Sequence, residues 1–225
     1  MNLKNNPVKN VGKINSVLGF IAMFVTQDIV LRFYFRKKKI INHNFPLPID
    51  SSIVLAPTHR SRWDGLVITM AMGRRVTNKD CRFMVTKSEM RGIQGWFLKR
   101  LGCFSINQLS PSLSTLRYAI DLIEKGEQLV VFPEGKINRY GKKLVLKEGL
   151  YRLARLAAKK TTPIIIPIGI AYSKVPPNFR GEFCLSFGKP IAINDYLKSP
   201  IKDFNIFLNA KMTQEEEKAL KNVGR

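Results

Sequence analysis

The sequence predicts an α/β fold with a central mixed, largely parallel sheet flanked by helices. Short apolar runs rich in Val and Ile alternate along the chain with segments whose apolar residues recur at helical spacing. Parallel strands need a connection long enough to hold a helix, so this alternation favours parallel strands with helices on the faces of the sheet. With 225 residues and 45% hydrophobic side chains, the chain is long enough for one domain with a real core.

Turn residues mark where these elements begin and end. Pro111 lies near the start of one predicted helix, and Gly102 and Gly126 close two helices. The predicted strands are Ile53–Ala56, Arg82–Thr86, Cys103–Asn107, Gln128–Phe132, Pro163–Tyr172 and Gly181–Ile191. The predicted helices are Asp64–Met72, Ile93–Gly102, Pro111–Gly126, Lys147–Lys160 and Thr213–Val223. We therefore expect the α/β domain to extend over residues 48–225.

Residues 1–47 carry a different pattern and are predicted to form a separate N-terminal membrane-interfacial helical segment. Helix is expected across Ile14–Lys38, where the uninterrupted apolar run Val17–Val25 is shorter than the roughly 20 residues that span a bilayer. The aromatic residues that follow are surrounded by basic ones: Arg32, Arg36, Lys37, Lys38 and Lys39. This composition is typical of a helix lying in the interface of an anionic membrane. The alternative is an ordinary helix packed on the domain, with its charges in water.

The charge of the chain narrows the class of partner. Lys and Arg number 38 against 16 Asp and Glu, and the net charge of +22 favours nucleic acid, an anionic membrane surface or a phosphorylated substrate. The basic residues are spread among the predicted helices and form no recognised nucleic-acid-binding motif, so we expect no nucleic acid partner. Cys81, Cys103 and Cys184 have no paired spacing and are predicted to be reduced thiols in the core.

One of the two histidines, His59, stands five residues before Asp64, between a predicted strand and a predicted helix. Residues five apart on a helix point about 140° from each other, so the two side chains can meet only if His59 lies in the loop and Asp64 begins the helix. Asp64 could then orient the imidazole and raise its basicity, as in the base-and-orienter half of a catalytic triad. Spacing alone favours the other interpretation, in which Asp64 is a helix cap and His59 an incidental loop residue, because a lone His and Asp pair is common.

A second stretch, Phe132–Gly135, has the sequence Phe-Pro-Glu-Gly and directly follows a predicted buried strand. Pro133 and Gly135 favour a turn there, so Glu134 is expected at the end of a strand, where α/β folds place their sites. Lys136 and Arg139 follow, and their positive charge suits a phosphate group.

Together the two stretches resemble motifs of the glycerolipid acyltransferase family. His59 and Asp64 match its first motif, a His and an Asp separated by four residues, and Phe132–Gly135 matches its third. Lys147–Ala154 and Pro163–Ile170 resemble weaker features of the same family. The resemblance extends over roughly Pro48 to Pro190 and favours a catalytic pair over a helix cap.

The resemblance implies a reaction, its partners and a set of site residues. An acyl group would pass from an acyl-CoA or acyl-carrier-protein thioester to a lysophospholipid hydroxyl. The composition of the N-terminal segment, and not the resemblance, leads us to expect this reaction at the cytoplasmic face of an anionic membrane. His59 would act as general base and Asp64 would orient it, with no metal, cofactor or covalent intermediate. The second and third motifs would hold the acceptor through these residues: Phe132, Pro133, Glu134, Gly135, Lys136, Arg139 and Gln108.

The sequence departs from the family pattern where the acceptor phosphate is expected to bind. Gln108 stands where the second motif usually ends in arginine, and Lys136 stands where a small hydroxyl residue usually follows the third motif. Arginine binds phosphate through a fixed fork of donors, which glutamine cannot reproduce. Because Lys136, Arg139 and Lys147 could rebuild the positive pocket, we still expect 1-acylglycerol 3-phosphate as acceptor, giving phosphatidate, with a different lysolipid or alcohol as the alternative. The alternative from another class is a catalytically silent, membrane-bound lipid-binding protein.

Overall fold

The computed structural model describes residues 14–43, 52–107, 110–139 and 143–225 and contains an eight-stranded mixed sheet. The strands are β1 (Phe35–Ile41), β2 (Ser52–Pro57), β3 (Cys81–Thr86), β4 (Phe104–Ile106), β5 (Gln128–Val130), β6 (Pro163–Tyr172), β7 (Gly181–Phe187) and β8 (Ile191–Ala192). Their order is β1-β7-β6-β2-β5-β3-β4, and β8 pairs with β6. β6 is antiparallel to β7 and β8, and every other pair is parallel. The predicted fold class is confirmed.

Helices cover both faces of this sheet. They are α1 (Ser16–Met23), α2 (Leu31–Tyr34), α3 (Asp64–Met72), α4 (Arg74–Thr77), α5 (Gly92–Arg100), α6 (Leu113–Glu124), α7 (Gly149–Ala157) and α8 (Ile201–Asn222). A π-helical stretch, Phe24–Val30, joins α1 to α2, and a 3-10 turn, Ile193–Tyr196, follows β8. The predicted bounds of α3 and β6 agree with the structure, whereas α8 begins twelve residues before the predicted Thr213.

The basic end of the N-terminal segment is a strand and not the predicted helix, which corrects the assignment of Ile14–Lys38. β1 lies at one edge of the sheet, buries Phe35 and pairs with β7. Charged side chains protect a sheet edge from pairing with another chain, which accounts for the run of lysines here. Arg36 also donates to Glu182 at 2.8 Å, and Lys39 donates to a backbone carbonyl at the end of α8. Part of the basic cluster therefore has a structural role in the domain.

Helical backbone continues from Ser16 to Tyr34 without interruption, because the polar residues at its centre find partners in the domain. The Gln27 side chain is buried and donates to the carbonyl of Thr69, and Asp28 accepts two hydrogen bonds from Arg75 at 2.6 and 2.8 Å. By length and composition alone, this stretch of 19 residues could cross a membrane. The prediction that the apolar segment is too short to span a bilayer therefore applies to Val17–Val25 and not to the whole helix.

The core has one layer on each face of the sheet, as alternation along β2 illustrates. Val54 and Ala56 pack with α6, α7 and α8, whereas Ile53 and Leu55 pack with α3 and the end of the N-terminal helix. Because both faces are covered, the strand is buried throughout. β2 lies between β5 and β6 and is parallel to both, so the carboxyl ends of the three strands lie at the same end of the sheet. The loops that follow these carboxyl ends carry the sequence motifs.

Candidate active site

The first and third motifs lie in loops that follow the carboxyl ends of two adjacent parallel strands. β2 runs into the loop that contains His59, and β5 runs into Phe132–Gly135. The two loops are joined by a backbone hydrogen bond, since the carbonyl of His59 accepts from the N–H of Asn138 at 2.7 Å. Two motifs that are more than 70 residues apart in sequence therefore form one site.

His59 and Asp64 form the hydrogen bond that a catalytic pair requires. His59 lies in the loop, Asp64 is the first residue of α3, and His59 Nδ1 is 2.8 Å from Asp64 Oδ2. The same oxygen accepts the backbone N–H groups of Arg60 at 2.6 Å and Ser61 at 2.9 Å, both of which precede α3. A carboxylate only accepts, so the proton of this hydrogen bond is on Nδ1 and Nε2 is left as the basic nitrogen.

Tyr172, at the carboxyl end of β6, completes the shell around the carboxylate. Its hydroxyl donates to Asp64 Oδ1 at 2.7 Å, and both side chains are buried. Burial raises the pKa of Tyr172 well above its ordinary value, and the charge of Asp64 adds to this effect. The phenol therefore stays protonated and keeps donating across the whole range in which an enzyme is assayed.

The ring of Phe132 holds the imidazole from one side. The two rings are stacked with centroids 4.0 Å apart and an interplanar angle of 22°. One nitrogen of His59 is fixed by Asp64 and one ring face by Phe132, while the side chain keeps 20% of its surface exposed. An imidazole held in this way presents Nε2 to a bound molecule without first having to be oriented.

Glu134 was predicted to bind substrate, but its carboxylate is directed into the protein. It is 5% exposed, accepts the backbone N–H of His59 at 2.8 Å and accepts Arg60 Nη1 at 2.8 and 3.0 Å. Its position after β5 is as predicted, yet its acceptors are occupied by the chain itself. In the structure Glu134 therefore holds the His59 loop and Phe132 packs on the imidazole, and contact of either residue with substrate stays a prediction.

The cations near the third motif lie on its solvent side. Gly135 has a φ of +68°, and a Cβ there would be 2.7 Å from Cε of Lys147, so the lysine side chain lies directly across the glycine. Pro133 is buried and accepts the backbone N–H of Lys147 at 2.8 Å. Lys136 and Arg139 are exposed on the segment that follows. Gln108 lies outside the described residues.

Three residues of this site were not singled out from the sequence: Arg60, Tyr172 and Glu216. Arg60 directly follows His59 and is 4% exposed, which is unusual for an arginine and reflects its two carboxylate partners, Glu134 and Glu216. A polar residue at the carboxyl end of an apolar strand was the available signal for Tyr172. For Glu216, on a distant amphipathic helix, the sequence offers no comparable signal.

The cysteines are core residues, as predicted. Burial raises the pKa of Cys81 and of Cys103 to about 12, and that of Cys184 to about 11. Cys103 is therefore a packed thiol without nucleophilic character at neutral pH. Within the part of the chain that the structure describes, no cluster of three or more His, Cys, Asp or Glu side chains could hold a metal ion.

Comparisons with known proteins agree with the motifs. A family model described as acyltransferase matches residues 35–171. The 1-acyl-sn-glycerol-3-phosphate acyltransferase of Streptococcus pneumoniae is 27% identical over 151 residues, or 66% of this chain and 53% of that protein, so the chain matches about half the length of this relative. The enzyme of the same name from Bacillus subtilis is 28% identical over 159 residues, or 70% of this chain and 75% of that protein.

A solved structure shares the fold. The crystal structure of a 1-acyl-sn-glycerophosphate acyltransferase from Thermotoga maritima superposes with a TM-score of 0.67, covering 89% of this chain and 79% of that one. At 18% identity this likeness concerns the fold alone. The family model, however, spans more than half of the sequence and includes both halves of the site. The chain therefore belongs to the acyltransferase family, and its relatives group it with the glycerolipid acyltransferases.

Proposed function

We propose that the protein is an O-acyltransferase that moves a fatty acyl group from an acyl-CoA or acyl-carrier-protein thioester to the hydroxyl of 1-acylglycerol 3-phosphate, giving phosphatidate. The observation that carries the proposal is the His59–Asp64 pair, with a buried carboxylate on Nδ1 and a partly exposed ring. Nε2 makes no hydrogen bond to any residue in the described ranges and is available to a substrate hydroxyl. The names of the two relatives support the same reaction class.

The chemistry follows from this geometry. Nε2 of His59 takes the proton of the acceptor hydroxyl while the oxygen attacks the thioester carbonyl carbon. Asp64 stabilises the imidazolium that forms, because its carboxylate lies 2.8 Å from Nδ1. When the tetrahedral intermediate collapses, the C–S bond breaks and the imidazolium returns its proton to the thiolate. The products are an ester and a free thiol, and no group of the protein is acylated.

The acceptor assignment depends on positive charge beside the third motif. Lys147 lies across Gly135, and Lys136 and Arg139 are exposed next to it. These three cations can supply the positive charge of the arginine that Gln108 replaces. The two lysines act as point charges and orient a phosphate less strictly than the guanidinium fork of an arginine does. We therefore keep lysophosphatidate as the acceptor, and a different lysolipid or alcohol as the second candidate because of Gln108.

The N-terminal helix supports association with a membrane. Its polar central residues face the domain, whereas its outer surface is apolar and exposed: Val17, Phe20, Ile21, Phe24, Val25, Ile29 and Phe33. A monomeric soluble protein rarely exposes so continuous an apolar surface. We propose that this surface lies in the membrane at its cytoplasmic face, where both a lysolipid and a cytoplasmic thioester are accessible.

The test is radiolabelled acyl transfer from coenzyme A and acyl-carrier-protein thioesters to a panel of phosphorylated and neutral lysolipids. Wild type should acylate lysophosphatidate, and His59→Ala should lose about 10²–10⁴-fold in kcat, the typical contribution of a general base. His43→Ala, which changes the other histidine, is the matched control and should keep its activity. A folded His59→Ala variant with normal turnover would exclude this mechanism, whereas wild type that transfers no acyl group to any acceptor of the panel would favour the silent lipid-binding protein. Preference for a neutral acceptor would exclude lysophosphatidate and leave the acyltransferase proposal intact.

A further inference from the structure

A buried arginine links the catalytic loop to the C-terminal helix. The guanidinium of Arg60 lies between two carboxylates: Nη1 donates to Glu134 on the third-motif loop, and Nε and Nη2 donate to both oxygens of Glu216 on α8. The Arg60 side chain is 4% exposed, and that of Glu216 is 14% exposed. Burial acts to lower the pKa of Arg60, but hydrogen bonds and charge attraction from Glu216 and Glu134 outweigh burial and raise it above its usual value. The cation is therefore permanent.

The same guanidinium and its first partner hold the backbone of His59. Glu134 Oε1 accepts both Arg60 Nη1 and the His59 N–H, each at 2.8 Å. Arg60 Nη1 also donates to the His59 carbonyl at 3.1 Å, and the N–H of Asn138 donates to it at 2.7 Å. The backbone N–H and C=O of the catalytic histidine are thus fixed by a network whose outer member is Glu216.

The helix that carries Glu216 is held closely against the sheet at this point. A Cβ on Gly169 of β6 would lie 2.1 Å from backbone atoms of Glu215 and of Glu216, so only glycine permits this approach. The neighbouring Glu215 accepts the hydroxyl of Ser186 at 2.5 Å and the ammonium of Lys218 at 2.7 Å. Glu216 is therefore presented to Arg60 by a rigid element and not by a freely moving side chain on a loose helix.

We infer that Glu216 is a positioning residue for His59: through Arg60 and Glu134, the C-terminal helix sets the backbone position from which the imidazole reaches the acceptor hydroxyl. This inference rests on the proposed acyl-transfer function and extends it to a helix outside the matched residues 35–171. Without the second carboxylate, Arg60 would be held by Glu134 alone, and the His59 loop could shift with it. A displacement of about 1 Å from reacting geometry can cost about 100-fold in rate.

The experiment compares Glu216→Gln with Glu217→Gln, which neutralises the exposed neighbour on the same helix. Gln cannot accept a guanidinium donor at each of its two terminal atoms, because one of them is an NH2 group that only donates. We expect kcat per folded enzyme to fall about 10- to 100-fold in Glu216→Gln, with KM for the acceptor within about twofold of wild type. Glu217→Gln should match wild type in both constants. Glu216→Asp, which keeps the charge on a shorter stem, should recover part of the lost kcat.

Each outcome bears on the inference. Folded Glu216→Gln with the kcat of wild type overturns it, and so does a variant that only loses thermal stability while keeping its kcat at a temperature where it is folded. If Glu216→Gln does not fold, Glu216→Ala, which removes the carboxylate without adding an amide donor, decides the question, because kcat equal to wild type in that variant also overturns the inference. If wild type and Glu217→Gln fail to transfer any acyl group, it is the proposed function that fails.

Discussion

The substitution Asp64→Asn isolates the charge of the orienting carboxylate. Two backbone N–H groups, those of Arg60 and Ser61, point at Oδ2, so the oxygen of Asn must occupy that place. Its amide then takes the place of Oδ1 and meets Tyr172, whose hydroxyl can turn to accept it. The hydrogen bond from His59 Nδ1 is kept, and with it the tautomer. The variant should therefore fold, and only the charge should be lost.

The size of the expected loss in kcat follows from the Coulomb attraction between the two charges at the effective dielectric constant of a partly buried site. A carboxylate and an imidazolium about 4 Å apart attract by about 4 kcal/mol at an effective dielectric constant of about 20. Wild type gains this attraction only as the imidazolium forms, so its loss should lower kcat by about 10³-fold, since each 1.36 kcal/mol is about a factor of ten. KM for the acceptor should change little, because the neutral ground state lacks the interaction.

The assay is steady-state acyl transfer by Asp64→Asn, with thermal unfolding measured beside it. Asp80→Asn is the control, because Asp80 pairs with Arg74 beside the amino end of β3, whereas His59 and Asp64 lie beyond the carboxyl ends of the parallel strands. The control should keep the kcat of wild type. A folded Asp64→Asn enzyme within about tenfold of wild type would refute the reasoning, because Asp64 would then act through its hydrogen bonds alone.

The other predictions concern the tyrosine beside Asp64 and the N-terminal helix. Tyr172→Phe removes one hydrogen-bond donor from the carboxylate of Asp64, and that carboxylate then attracts a protonated His59 more strongly. The acid limb of the kcat–pH profile should therefore move to higher pH. A profile that superimposes on that of wild type would contradict this prediction. Joint substitution of Phe20 and Phe24 by Ser should reduce pelleting with anionic liposomes, because these rings are 62% and 48% exposed on the apolar surface. Ile206→Ser, which changes a similarly exposed residue on α8, should pellet like wild type. Equal pelleting of wild type and both variants would exclude the N-terminal helix as the membrane-binding surface.

The experiment on the N-terminal helix uses point substitutions because the structure changes what a deletion would mean. Removal of residues through Lys39 would take away most of β1 and the buried ring of Phe35. Loss of liposome binding could then reflect an unfolded sheet as easily as a lost membrane contact. Substitutions on the exposed face leave the sheet and the Asp28–Arg75 pair intact.

Local patterns were sufficient where one segment buries its own side chains in one regular element. The apolar run Pro163–Tyr172 and the helix Asp64–Met72 have the predicted bounds. The pattern failed at Phe35–Ile41, because a charged edge strand has one buried residue at its start and otherwise resembles a basic helical tail. It also missed the first half of α8, whose buried positions Phe204 and Leu208 are separated by polar residues.

Local sequence motifs were enough to locate the candidate site: a histidine in a loop, an aspartate at the next helix start, and a strand-end turn with glutamate between proline and glycine. Spacing along the chain restricts such neighbours, because five residues of loop can bring two side chains together in few ways. Tertiary structure alone decided what each side chain does there. Glu134 faces Arg60 and not the solvent, Tyr172 donates to Asp64 from another strand, and Glu216 reaches the His59 loop from a helix more than 150 residues away. The physical reason is that the direction of a buried polar side chain is set by the partner that satisfies it, and these partners come together only when the sheet and α8 have packed.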